Sequence, residues 1–245
     1  MSRAARLRAG TAAHLREFGR RPLHVVFLLV LPPAVVEIYG VAMAAFPALP
    51  GLGAVPATVG RINGAVFAAA FLAGLIGLFQ VISARQADDR LALCGFRRWE
   101  LYVTRLGTVL GVSLVAATAA FAVLAWRIEV AAPVAAFGTL ALAGLLYGLV
   151  GVLVGALLPR ELEGSLVLVF LADFDTFVAS GLADVDPSIA TLLPLHYPHE
   201  LFTAAVRDGG VAASDAFAAA GYLLALALLV LAVSVGTDRV GGGGT

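Results

Sequence analysis

Six apolar runs, near 23–46, 62–84, 106–126, 132–158, 165–182 and 216–235, dominate this chain. A bilayer core about 30 Å thick is crossed by roughly 20 apolar residues in helical form, and these runs match that length. Only 13% of the 245 residues are charged and 61% are hydrophobic. An ordinary soluble domain carries about 25% charge, so a soluble bundle is excluded in favour of an all-α, polytopic membrane protein with six transmembrane helices.

The polar connections set the expected topology. Before the first run, Leu7, Thr11, Leu15 and Phe18 share a helical face while Arg3, Arg6, Arg16 and Arg20 spread around the rest. This predicts an amphipathic interfacial helix over 1–22. Pro32-Pro33 is expected to kink the first span. Ala42-Met43-Ala44 imitates a signal-peptide cleavage site, but the run is too long, contains Glu37 and is followed by further spans.

Arginines flank the spans unevenly. Arg3, Arg6, Arg8, Arg16, Arg20 and Arg21 precede span one, and Arg85, Arg90, Arg97, Arg98 and Arg105 lie between spans two and three. The other side holds only Arg61, Arg127 and Arg207. Basic residues stay on the cytoplasmic side, so both termini and the 85–105 loop are expected there, in a multi-pass protein of the inner cell membrane. The segment 183–215 is then external, and 236–245 a flexible glycine-rich tail.

Glycines recur four apart at Gly107/Gly111, Gly144/Gly148 and Gly151/Gly155. Such spacing lets helix backbones approach, which predicts a fourth span buried in the bundle.

The chain has no lysine, so the phosphate-binding Walker A loop is impossible. The all-arginine base content suggests a GC-rich prokaryotic genome more than any chemistry. Nucleophile-elbow, zincin and dinucleotide fingerprints are absent as well. Zero formal charge leaves no general attraction to nucleic acid, and the lone Cys94 cannot form an internal disulfide. His196-x-x-His199 with Glu200 is the best metal candidate, but Pro194 and Pro198 interrupt it. A short external helix from Pro198 to Arg207, with Leu201, Phe202, Ala205 and Val206 on its apolar face, accounts for the stretch without metal.

Three acids fall in apolar runs: Glu37, Asp173 and Asp175. Each is costly in hydrocarbon unless it meets protein, water or a partner. They are candidates for a substrate path or protonation site; alternatively, span five breaks near Asp173 and places both aspartates at the aqueous mouth. The charged loop is more specific. Asp88-Asp89 suits a helix start, Leu91, Cys94, Trp99, Leu101 and Tyr102 supply apolar faces, and Gly95 permits a turn between two short helical pieces.

DDRLALCGFRRWELYVTRLGTVLG resembles the coupling loop of ABC-2 type permeases, the membrane subunits of ATP-binding cassette exporters, and LLPLHYPHELF resembles their external re-entrant segment around His196, Tyr197 and His199. Asp88-Asp89-Arg90 and Gly95 depart from the family's more frequent residues. The resemblance implies a type V exporter-like architecture, two ATPase subunits carrying ATP and Mg, and a second permease subunit, identical or not. It implies a non-catalytic chain that binds no cofactor itself. On that reading Asp88, Asp89, Arg90, Leu91, Leu93, Cys94, Phe96, Arg97 and Arg98 meet the ATPase. Two rivals remain: an ion-coupled carrier or channel using Glu37, Asp173 and Asp175, and an intramembrane enzyme using Asp173, Asp175, Asp184 or Asp186.

Overall fold

A computed structural model describes residues 22–46, 55–93, 98–158, 160–183 and 185–241, with 22–25, 27–28, 83–93, 98–102, 104 and 234–241 described as helix backbone alone. The interfacial helix expected over 1–22 lies outside this set, save Pro22. Among the described residues there are eight helices and no strand. They are α1 (Pro22–Ala44), α2 (Pro56–Leu93), α3 (Arg98–Arg127), α4 (Pro133–Leu157), α5 (Glu161–Ala179), α6 (Pro187–Ala190), α7 (His196–Arg207) and α8 (Ala213–Gly241).

Within them, four segments are long and apolar enough to cross a membrane: Pro56–Ile82, Arg105–Arg127, Pro133–Leu157 and Ala213–Val233. The chain is therefore an all-helical protein of membrane-embedded character. A shorter apolar stretch, Leu29–Ala44, lies in α1. Four acids, Glu161, Glu163, Asp173 and Asp175, set α5 apart from the long apolar segments.

Several helices depart from the expected boundaries. Pro32 and Pro33 lie inside α1 without ending it. No separate helix begins at Asp88-Asp89, because α2 passes through both to Leu93. The stretch from Ser83 to Asp89 contains neither glycine nor proline, so a helix already nucleated in the apolar run simply propagates. The break near Asp173 is absent too: α5 runs unbroken to Ala179, and Asp175 finds its partners sideways. The tail is helical as far as Gly241, since Thr237-Asp238-Arg239-Val240 continues α8 before the glycine run.

Helix α2 sits at the centre and packs against α1, α3, α4 and α5. Its seam with α4 is made of glycine. A Cβ built on Gly77 would stand 2.2 Å from the Gly148 carbonyl oxygen, and one on Gly151 would stand 1.9 Å from that of Gly74. Only hydrogen side chains allow such backbone proximity, which replaces the water-driven packing that lipid cannot supply. The same device joins α1 to α2, where a Cβ on Gly60 would meet the Tyr39 carbonyl oxygen at 2.2 Å. Around these seams Val66, Ala69, Ala120, Leu140, Tyr147 and Phe202 form one buried core with neighbours from α1 to α7. Phe170, Phe174, Phe217 and Leu224 point outward, as lipid-facing side chains would.

Candidate functional site

Glu37, Asn63 and Arg127 mark the end of the bundle opposite the α2–α3 connection, hereafter the far end. Its organising element is α7. Leu201, Phe202, Ala205 and Val206 are buried, so the apolar face expected on this short helix is turned into protein. At its C-terminal end, the Ala131 and Ala132 amides donate to the Val206 and Ala205 carbonyls at 3.0 and 2.9 Å, pinning it to the α3–α4 connection. Its other end reaches inward. Twelve residues at 1.5 Å each carry the chain about 18 Å.

There it meets Asp175, which is fully buried on α5. Its Oδ2 accepts from the Tyr147 hydroxyl of α4 at 2.7 Å and from the Leu195 amide at 3.1 Å. Leu195 is the N-cap of α7, so the positive end of that helix faces the carboxylate and offsets part of its burial cost. The Tyr147 hydroxyl also lies 3.2 Å from the Leu171 carbonyl, while Asp175 Oδ1 is buried without a hydrogen-bond partner. From α8, the Tyr222 hydroxyl donates to the Leu192 carbonyl at 2.5 Å.

The third tie is His199, whose Nε2 lies 2.8 Å from Asn63 Oδ1 on α2. Burial, with His196 adding to it, pushes this imidazole down from 6.5 to about 4, so it is neutral near pH 7. A neutral ring with its proton on Nε2 donates to the asparagine oxygen. His196 lies instead beside Glu200, at 3.7 Å, and its ring meets Tyr197 edge-on. The two histidines thus serve different partners, and among the described residues no three His, Cys, Asp or Glu side chains gather as a metal set.

The other acids have separate partners. Asp173 is exposed and accepts a hydrogen bond from Tyr39 of α1. Glu37 is flanked by two arginines, with Arg127 Nε 2.6 Å from Oε1 and Arg61 Nη2 3.8 Å from Oε2. Asp186 caps α6, accepting from the Ser188 amide at 2.8 Å, and both Ser188 bonds lower its pKa. Asp184 lies outside the described residues.

At the opposite end, Asp88, Asp89, Arg90, Leu91 and Leu93 belong to the backbone of α2, and Arg98 opens α3. Cys94, Phe96 and Arg97 lie outside the described residues, as does the Gly95 turn. The helix runs on from Arg85 to Leu93 beyond the apolar run, a projection of about 13 Å at 1.5 Å per residue.

Tyr39, Arg61, Asn63, Arg127 and Tyr147 were not singled out as site residues by the sequence. The usable signal was polarity in the wrong place: Asn63 and Tyr147 inside apolar runs, and Arg61 and Arg127 on the side that arginine otherwise avoids. The chain matches no protein-family model, and no curated protein matches it.

Proposed function

We propose that this chain is the permease subunit of an ATP-driven transporter of the ABC-2 type, with six spans, working with a second permease subunit and two separate ATPase subunits. One observation carries the reading. The helix that runs on into the arginine-rich 85–105 segment, α2, is also the helix packed against α1, α3, α4 and α5. A force applied at 85–93 therefore reaches most of the bundle through one rigid element, as domain-level switching requires.

In this mechanism, closure of the ATPase dimer presses on Leu91, Leu93, Cys94 and Phe96, while Arg90, Arg97 and Arg98 make polar contacts. The motion travels along α2 to its glycine seam with α4 and reaches the far end, where α7 covers the bundle through the Asp175, Asn63 and Ala131–Ala132 contacts. Displacement of α7 opens the far side, and the direction is export. The site of action is the cytoplasmic membrane.

The test is co-purification with an ATPase encoded by a neighbouring reading frame. The R90E/R97E double variant is expected to lose the partner and its stimulated ATP hydrolysis; retention of both overturns the assignment. The unpartnered buried Oδ1 of Asp175 favours a second reading, an ion-coupled carrier. Ion-dependent transport in liposomes without nucleotide, abolished by D175N, selects that alternative.

A further inference from the structure

One cluster at the far end, Glu37 with Arg61 and Arg127, sets two positive charges against one negative. Arg61 and Arg127 converge on Glu37, which is the only acid within 4 Å of either among the described residues. Two guanidinium groups against one carboxylate leave a formal charge of +1. The pairing is also unequal: Arg127 binds at 2.6 Å, whereas Arg61 stands off at 3.8 Å. Arg61 Nε is buried and has no hydrogen-bond partner. Glu37 therefore leaves Arg61 incompletely satisfied, and the exposed parts of the Arg61 and Arg127 side chains, 21% and 43%, keep donors open to an added anion.

The surroundings define the anion. Gly40 is the reason Arg61 can lie across α1, since a Cβ there would stand 2.7 Å from Arg61 Cγ. Beside the cluster, Ile38 and Val41 of α1 are 63% and 66% exposed, and Trp126 is 80% exposed with the Arg127 guanidinium 5.1 Å from its ring centre. An exposed indole and aliphatic side chains next to arginine suit the membrane interface, where acyl chain and headgroup meet. A fully water-borne anion would have no use for that apolar border.

We propose that Glu37, Arg61 and Arg127 form a binding site for the phosphate of an anionic glycerophospholipid in the far leaflet. The phosphate oxygens take the free donors of the two guanidinium groups, which match them bidentately, and the acyl chains lie against Ile38, Val41 and neighbouring apolar surface. Glu37 holds the two arginines together and sets the net charge. A single negative headgroup then neutralises the cluster. This inference requires only that the protein is membrane-embedded and is independent of any ATPase partner.

The experiment is native mass spectrometry of the delipidated full chain titrated with phosphatidylglycerol or phosphatidylcholine, with size-exclusion chromatography as the folding check. One phosphatidylglycerol is expected to bind in preference to phosphatidylcholine, and R61Q/R127Q should weaken it about tenfold or more. E37Q raises the local charge and should tighten binding several-fold, an effect that a purely structural ion pair would not produce. Unchanged binding in folded R61Q/R127Q overturns the site. If that variant does not fold, E37Q decides, with equal or weaker binding overturning it. Displacement of the lipid by millimolar inorganic phosphate equally overturns the lipid assignment, because it makes the site one for a free anion.

Discussion

Helices α4 and α8 are both long, apolar and free of charge over most of their length, yet their places in the bundle differ sharply. In an 18-residue apolar stretch of each, 67% of the residues of α4 are buried inside the protein, against 11% for α8. The difference lies in where glycine meets a neighbouring helix rather than in hydrophobicity. Gly148 and Gly151 of α4 meet backbone or side-chain atoms inside ordinary contact distance, whereas a Cβ on Gly221 of α8 would meet nothing within 4 Å. In lipid, apolar character admits a helix to the membrane, and close backbone fit decides whether it goes inside.

The largest break in this comparison is expected from glycine replacement. Gly151→Leu drives a side chain into the Gly74 carbonyl and should abolish recovery of monodisperse protein in detergent. Gly221→Leu should leave the elution profile and melting temperature unchanged. Equal effects at the two positions would undo the packing account.

The polar contacts of the same helices give a smaller contrast. Tyr147→Phe removes one of two donors to the buried Asp175 and should cost about 2 kcal/mol, read as a fall in melting temperature. Asp175→Ala, which strands both donors, should cost more than Asp175→Asn. Tyr222→Phe on α8 loses one hydrogen bond from a half-buried group and should cost about 0.5–1 kcal/mol. A larger loss at Tyr222 than at Tyr147 would reverse the ranking.

The smallest effect concerns the seam between α7 and α2. The His199 pKa is held near 4 in place and returns to 6.5 when α7 is released. The released form therefore binds more protons between those values, and the docked form loses stability as pH falls from 6.5 towards 4. At about pH 5.5 the loss should be roughly 1 kcal/mol. Hydrogen exchange of α7 amides should accelerate over that window in the native protein, and His199→Gln should flatten the dependence.

Much of the helical order was legible because each apolar run is a local property. The acids were legible as well, since Glu37, Asp173 and Asp175 are conspicuous in such surroundings. Their partners were not. Arg127 is 90 residues from Glu37, Tyr39 is 134 from Asp173, and Asn63 is 136 from His199. Four-residue spacing found the glycines of α4 but passed over Gly74 and Gly77, which stand three apart and complete the same seam.

The amino-acid order by itself determined that this chain is helical and belongs in a membrane, because a backbone in hydrocarbon must satisfy its own hydrogen bonds and the apolar runs have the required length. It also marked the acids that need partners. Only the tertiary structure decided which helix is central, which side of α7 is buried and which residue compensates each acid. Those outcomes depend on atoms brought within a few ångströms from distant parts of the chain, and no local pattern encodes that fit.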